Sequence, residues 1–401
     1  MDQHRAVVVG AGIGGLTVAV ALHQSGWDVT VLERAAALTP VGAGIGLAPN
    51  SQRALDVIGL GDRVRELSAW QGDGGMRAPD GRWLARTSAK AAAERFGGPL
   101  VLLHRATLVE ILASALPEGV VRTGAAASLV DPGDDGRPAL VRIADGDGDG
   151  GQEIEADLVV GADGIRSTLR RALFPGHPGP AYSGFTTWRV VVPAPDRPFA
   201  PHETWGGGRL WGTQPLKDGR IYAYAMAAAP EGAHAPDDER AELLRLFGDW
   251  HQPVPEILAA VEPAGVLRND VHHLIDPLPA FHQGRVALLG DAAHAMQPTL
   301  GQGGNQAIED AIVLAHHIAR GAPPSRALTA YTADRLPRTT AIVRKAARTG
   351  RLTLLSAPPA VALRNALIAA VSRFGPGLVL RGFDGIADWR PPLADERARV
   401  S

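Results

Sequence analysis

Gly10, Gly12 and Gly15, with Gly14 between them, are the first residues in this chain whose spacing could do chemistry. They stand between an apolar run, residues 6–9, and a stretch of helical character, residues 13–24. A G-x-G-x-x-G turn in that setting binds a pyrophosphate. Gly10 permits the tight turn, Gly12 lets backbone approach the phosphates, and Gly15 lets helix and strand pack closely. The helix N-terminus adds free N–H groups and a partial positive charge. Glu33 follows 18 residues after Gly15, at the end of a second apolar run, and a carboxylate at that spacing accepts from ribose hydroxyls. The set reads as a dinucleotide site. An acid at this position speaks against a ribose 2′-phosphate but does not separate NAD from FAD.

Two later stretches repeat the theme. In "ADLVVGADGIRSTLRR" a buried strand runs into Asp163-Gly164, which opens a helix bearing Arg166, Arg170 and Arg171. Capping that helix is the commoner role for such an aspartate. In "RVALLGDAAHAMQPTLGQGGNQAIEDA" a strand ends at Gly290-Asp291. Pro298, Gly301, Gly303 and Gly304 then build a loop into a helix N-terminus, which exposes N–H groups to a flat, acceptor-rich or anionic ligand.

The elements that must position these residues follow from the pattern. Residues 6–9 and 28–32 read as buried parallel strands flanking a helix that ends near Gly26. Asn50 is placed to cap a helix starting near Ser51. Residues 70–100 show little periodicity, and residues 103–116 have helical period. Residues 119–160 read as short strands around an acidic turn. "GFTTWRVVV", "HETWGGGRLWGTQ" and "RIYAYAMA" alternate as antiparallel strands. Residues 241–260 are helical with a proline break, residues 305–319 form an amphipathic helix, and the tail from Ala330 is mostly helical. The fold class is α/β with a Rossmann-like nucleotide domain.

Bulk properties narrow the function. A chain of 401 residues buries a large core, by length alone expected as two domains, and its net charge of −2 offers no basic field for nucleic acid or an anionic membrane. There is no cysteine, so thiol catalysis, disulfides and cysteine metal sites are out. Apolar stretches are interrupted by Arg, Pro or Gly, so no transmembrane anchor is expected, and the first strand leaves no room for a signal peptide; the expected compartment is cytoplasmic. Asp145, Asp147, Asp149 and Gly150 match the opening of a calcium loop, but the twelfth position is Ala156, with Glu155 one early. A solvated hairpin turn is the better reading, and no metal site is expected.

In their order the three stretches resemble the single-component FAD-dependent monooxygenases, the aromatic-hydroxylase group typified by p-hydroxybenzoate hydroxylase. Salicylate, 3-hydroxybenzoate and urate hydroxylases are the closer look-alikes. The resemblance covers nearly the whole chain. It implies a split FAD domain (1–70, 101–180, 281–335), an inserted antiparallel-sheet substrate domain (71–100, 181–280) and a helical C-terminal region (336–401). It implies noncovalent FAD, NAD(P)H as a transient co-substrate, and oxygen transfer through a C4a-hydroperoxyflavin to an aromatic or other electron-rich small molecule. By the same resemblance Glu33 holds the adenosine ribose, with Arg34 near the adenine end. Arg105 reaches the ribitol–pyrophosphate region. Asp163 and Gly164 form the DG motif near the phosphates, linked to NAD(P)H use. Asp291 accepts from a ribitol hydroxyl. Gly303, Gly304 and Asn305 donate backbone N–H groups to the flavin pyrimidine edge, and Gly44 and Ile45 line the isoalloxazine.

Trp188, Arg189, Trp205, Trp211, Tyr222, Tyr224 and Met226 gather in the inserted strands, either as pocket lining or as sheet core. Arg189 matches an arginine near flavin and substrate in related hydroxylases. It could pair with a substrate anion, contact the flavin, or form a surface salt bridge. His272 and His273 are candidate bases; His294, His316 and His317 read as structural. An FAD-dependent dehydrogenase or reductase, or an epoxidase, would share these motifs. Either a monomer or a homodimer is compatible with them.

Overall fold

The computed structural model describes residues 4–38, 43–69, 73–145, 148–195, 199–319 and 322–392. At its centre six strands lie in the order His282–Gln283, Val286–Leu288, Leu158–Gly161, Arg5–Val9, Asp28–Leu32 and Val121–Arg122. All neighbours are parallel except the outermost His282–Gln283 pair. Leu158–Gly161 is wholly buried, as a parallel strand covered on both faces must be. The helix Ile13–Gln24 buries its first ten residues because it lies between this sheet and the helix Gly303–Ala319. Gly14 permits that approach: a Cβ there would sit 2.6 Å from Leu289 Cδ1 and 3.1 Å from Ala307 Cβ.

A second, three-stranded antiparallel sheet holds Ala127–Asp131, Ala139–Asp145 and Gly148–Ala156. The acidic turn joins its last two strands as a hairpin; Asp147 lies outside the described residues.

The third sheet has seven strands, in the order Leu267–His273, Ala181–Pro193, Arg220–Ala228, Arg209–Pro215, His202–Trp205, Gly74–Arg77 and Trp83–Thr87. The last two correct the reading of residues 70–100. They are strands of four and five residues, the second at the sheet edge, too short to show a period, and are followed by the helix Ala89–Phe96. Ser88 caps that helix and Gly97 ends it in the left-handed region. Residues 103–116 are likewise split. Val101–His104 is a strand paired with Gly44–Leu47, and the helix begins only at Arg105. Asn50 is not a cap, because the helix starts at Pro49 with Ala48 before it. Its side chain lies buried inside the fold, donating to Glu309 Oε1 at 2.7 Å.

Side-chain alternation divides the seven-stranded sheet into two unlike faces. Trp188, Val190, Val192, Trp211, Ile221 and Ala223 pack under the helices Glu239–Phe247 and Val254–Ala259. Tyr222 lies on the opposite face, where a Cβ on Gly44 would stand 2.5 Å from its ring, so this face meets the loop that follows the nucleotide-type βαβ unit. The C-terminal helices Pro324–Thr353 and Pro358–Ser372 complete the molecule, the second lying over the far end of the same face.

Candidate functional site

The glycine turn is held open by contacts no other residue could make. Gly10 has φ +107°, and a Cβ on it would lie 2.4 Å from the Ala162 carbonyl oxygen. A Cβ on Gly15 would lie 2.0 Å from the carbonyl oxygen of Gly10. Gly12 differs: nothing stands within 4 Å of its hypothetical Cβ, so it borders open space at the start of the helix. Glu33 closes the turn, accepting from the Ala11 N–H at 2.8 Å and the Ala35 N–H at 2.9 Å. Each carboxylate oxygen keeps a lone pair for a ligand hydroxyl. Arg34 is exposed beside it.

Asp163 follows the neighbouring strand. Its Oδ2 accepts from the Thr168 N–H at 2.7 Å and the Leu169 N–H at 3.2 Å, so it does help cap the helix Thr168–Leu173, together with Ser167. Its Oδ1 is buried with no partner among the described residues, an acceptor left open. Gly164, at φ +77°, also borders open space.

The third loop faces the same region. Gly290 turns at φ +60° into the short helix Asp291–His294. Asp291 is exposed, with Oδ1 3.9 Å from the point where a Gly303 Cβ would lie. Pro298 opens a 3₁₀ turn that ends at Gly301, φ +61°. In the helix Gly303–Ala319, Gln306 donates the first i→i−4 bond, to Gln302 at 2.8 Å. The N–H groups of Gly303, Gly304 and Asn305 precede it and point out of the helix start. Ile45 packs on Gly304, where a Cβ would meet its Cδ1 at 2.7 Å. The side chain of Asn305 ties the loop together. It accepts from Ala48 N–H and the Ser51 hydroxyl and donates to the carbonyls of Gly46 and Gly301.

Beneath this loop lies a charged cluster that the sequence did not announce. Glu309 and Asp310 are fully buried and Arg335 is 1 % exposed. Arg335 donates to Asp310 Oδ1 and Glu309 Oε2, each at 2.6 Å, and Arg338 donates to Glu309 at 2.8 Å. Asp310 Oδ2 accepts from the Gly290 N–H at 2.9 Å and bonds His294 Nε2. Burial opposes ionisation of Asp310, yet His294 and Arg335 hold it below the usual carboxylate range. The cluster therefore fixes the backbone that presents Asp291. Its one signal was polar residues at i, i+1, i+4 and i+5 (Asn305, Gln306, Glu309, Asp310), a pattern that also fits a solvent face.

Across the cleft the seven-stranded sheet sets a polar row perpendicular to its strands. Arg189 pairs with Tyr224, Tyr224 with Gly212, and Gly212 with Glu203. Gly212 makes the row possible, because a Cβ there would lie 2.1 Å from the Tyr224 ring. Tyr224 thus lies across its neighbour strand and donates its hydroxyl to Glu203 Oε1 at 2.7 Å, while Trp205 Nε1 donates to Oε2 at 2.9 Å. Burial, and then Glu203, push the Tyr224 pKa well up, so it keeps its proton. Tyr222, pushed to about 12 by burial, stands in the next row between Val191 and Gln214. Arg189 donates to Asn269 Oδ1, but its Nε is buried without a partner among the described residues. Burial lowers its pKa; nearby Arg105 adds repulsion and Tyr222 opposes it. Arg105 itself is exposed at the start of its helix, its N–H bonded to the Ala43 carbonyl.

Two candidate lining residues are corrected. Trp188 and Trp211 lie on the helix-covered face, one donating to Glu239 and the other tilted against Phe247. Parity decides this: position 188 must point away from position 189. Glu203 and Gly212 were missed, since neither belongs to a recognisable motif. The candidate bases are not brought to the row. His272 bonds Glu231 and packs on Tyr182, and His273 is buried beside it with its pKa lowered by burial. His317 pairs with Asp334.

An open glycine turn, an orphaned Asp163 oxygen and a helix start with free donors follow neighbouring parallel strands, the orphaned Arg189 Nε lies on the sheet face that meets Gly44, and their donors and acceptors suit FAD. The comparisons agree. The family model described as FAD binding domain matches residues 3–346. The chain is 37 % identical over 348 residues to the aurachin C monooxygenase/isomerase of Stigmatella aurantiaca, covering 86 % of this chain and 88 % of that one. It is 37 % identical over 361 residues to the 3-amino-4-hydroxybenzoate 2-monooxygenase of Streptomyces cremeus, covering 86 % of each. Klebsiella pneumoniae HpxO, solved with FAD and uric acid, superposes with a TM-score of 0.85 at 28 % identity over 96 % of both chains.

Proposed function

The chain belongs to the FAD-binding family of aromatic hydroxylases, and on that premise we propose that this FAD-dependent monooxygenase hydroxylates a planar aromatic bearing both an acidic group and a hydrogen-bond donor. The observation that carries the proposal is the polar row. Arg189 offers an unspent N–H to an anion at one end, and Glu203 offers acceptor lone pairs to an N–H or O–H at the other. Between them Tyr224 supplies a flat aromatic surface. The relative acting on 3-amino-4-hydroxybenzoate handles a compound whose name carries an amino group, a hydroxyl and a carboxylate. When bound, FAD takes electrons from NAD(P)H and activates O2. We place this work in the cytoplasm, where NAD(P)H is available.

The chain's own residues bind, orient and exclude water. Glu33 takes the adenosine ribose and Arg34 the adenine end. Gly12 lets the pyrophosphate approach the helix start, with Gly10, Gly14 and Gly15 fixing the turn. Arg105, Asp163 and Gly164 serve the pyrophosphate side, and Asp291 accepts from the ribitol. Pro298 and Gly301 shape the loop from which Gly303, Gly304 and Asn305 donate backbone N–H groups. That helix start would offer its N–H donors and partial positive charge to the ring edge. Gly44 and Ile45 border the ring opposite Tyr222. Arg189 holds the substrate anion. We assign residues 1–70, 101–180 and 281–335 to the cofactor domain, 71–100 and 181–280 to the substrate domain, and 336–401 to the helical tail; membership of the three sheets supports this division.

A screen of aminophenols, hydroxybenzoates and N-heteroaromatics, followed by stimulated NAD(P)H oxidation, O2 uptake and product mass, tests the reading. Turnover should consume O2 and add one oxygen atom to the product. NAD(P)H-driven reduction of substrate without O2 uptake would replace this reading with a reductase.

Two substitutions test the roles. Arg189→Lys loses the planar fork while keeping the charge. FAD should remain bound, yet substrate KM should rise or hydrogen peroxide per NAD(P)H should increase, because a loosely held substrate misses the oxygen transfer. Wild-type KM and coupling would remove Arg189 from substrate binding. Asp291→Ala removes a charge-assisted hydrogen bond of about 1.5–3 kcal/mol, so the FAD Kd should rise roughly tenfold to a hundredfold. An unchanged Kd would return Asp291 to a turn role.

A further inference from the structure

The net charge of −2 conceals a strong separation. Residues 335–383 contain nine Lys or Arg and no Asp or Glu, which leaves −11 on the rest of the chain. Arg335, Arg338 and Arg364 are spent inside the fold, bonded to buried carboxylates and carbonyls. Arg344, Arg348, Arg351 and Arg373 are exposed, and among the described residues none of them is paired with a carboxylate. Asp384 lies near Arg381 and Lys345 but is already paired with Arg95.

An apolar stripe runs through the same region. Leu363 is 62 % exposed, Leu367 58 %, Val371 39 % and, just beyond the helix end, Phe374 83 %. The spacing i, i+4, i+8, i+11 places them on one face of Pro358–Ser372. Leu352, 46 % exposed, lies before the break where this helix turns by 117° from the preceding one. The opposite face of the helix is anchored. Ile368 packs with Phe185, Trp205 and Met226, and the Arg364 guanidinium donates to the carbonyls of Thr353 at 2.8 Å and Gly206 at 3.0 Å. Among the described residues no single helix is long and apolar enough to cross a membrane. The element also lies beyond residue 346, where the family match ends.

We propose that the helix Pro358–Ser372 docks this enzyme on an anionic lipid surface. Its apolar stripe enters the headgroup boundary, and Arg373 at its end, together with Arg348 and Arg351 beside the exposed Leu352, neutralises the lipid charge. Leucine and phenylalanine on one face of a helix with basic residues around it are what an interfacial helix needs. A surface made of both signs would suit a second copy of this chain, but Asp384, the acid beside Arg381 and Lys345, is already paired with Arg95, so the patch stays basic. The charge therefore selects an anionic partner, and the stripe selects one with an apolar interior.

The test is flotation of the FAD-loaded enzyme with phosphatidylcholine vesicles, with and without about a third phosphatidylglycerol, at low and high salt. Each basic residue near such a surface strengthens binding about fivefold. Binding is expected on anionic vesicles only, and should fall at least tenfold at high salt. The Leu363→Asp/Phe374→Asp double variant alters two exposed positions and should retain its flavin spectrum and its activity on water-dissolved substrate. Its partition to anionic vesicles should fall at least tenfold. The Arg344→Gln/Arg348→Gln/Arg351→Gln variant should lose a similar factor. Wild-type enzyme that does not float would overturn the proposal. So would a double variant that floats as well as wild type, or one whose only change is dissociation of a dimer.

Discussion

Arg335→Ala is expected to lower the unfolding free energy by about 3–5 kcal/mol, because it strips the partner from charges already out of water. Glu309 would keep Arg338, Gln306 and Asn50. Asp310 Oδ1 would keep nothing that is described, since Arg335 Nε is its donor. The damage should extend to cofactor retention. Asp310 also holds the Gly290 N–H and His294, hence the turn that begins with Asp291. Arg335→Lys should fall between, since one ammonium cannot span both carboxylates as the guanidinium fork does. Chemical denaturation followed by tryptophan and flavin fluorescence measures both effects. An alanine variant within about 1 kcal/mol of wild type, below the 3–5 expected for a broken buried pair, would show that water replaces the arginine freely.

The second large effect belongs to Gly15→Ala. A methyl 2.0 Å from the Gly10 oxygen cannot be accommodated, so the helix Ile13–Gln24 must move off the strand that feeds it. Overpacking of this kind costs about 1–3 kcal/mol, and here it also displaces the donors that face the phosphates. FAD affinity should fall roughly a hundredfold, with the apoprotein destabilised as well. Gly12→Ala provides the contrast. Its methyl enters open space, so the apoprotein should melt as wild type while FAD binding weakens. Equal apoprotein melting for both variants would mean that the Gly15 contact relaxes without strain.

Those two glycines also show what a sequence can disclose. The turn of Gly10, Gly12 and Gly15, and the positions of Glu33, Asp163 and Asp291 just after strands, were legible because a strand-to-helix turn imposes local spacing. The helix Ile13–Gln24 was legible to its bounds for the same reason. Arg335 was not, because its meaning depends on Glu309 and Asp310, 26 and 25 residues earlier on another helix. The polar side of Gly303–Ala319 looked like a solvent face and is interior. The aromatic strands were half legible. Alternation separates Trp188 from Arg189, but which side the helices cover is a tertiary fact. Gly212 needed its neighbour: only the Tyr224 ring lying across it explains a glycine in mid-strand. Residues 74–77 and 83–87 escaped because strands this short carry too few residues to show a period.

The buried cluster has a consequence for how the protein is made. The glycine turn is synthesised well before the strand Val286–Leu288 and the arginine that locks its outgoing loop. Between Gly12 and Arg335 lie 322 residues, roughly a quarter of a minute to a full minute of synthesis at about 5–20 residues per second. Through that interval the nascent chain carries half a nucleotide cradle, with the apolar strand at residues 158–161 still waiting for its partner Val286–Leu288. Capture of the flavin therefore waits for residue 335. Chains released before it should emerge colourless and bound to chaperones, whereas chains that extend past it through residue 401 should take up FAD without assistance.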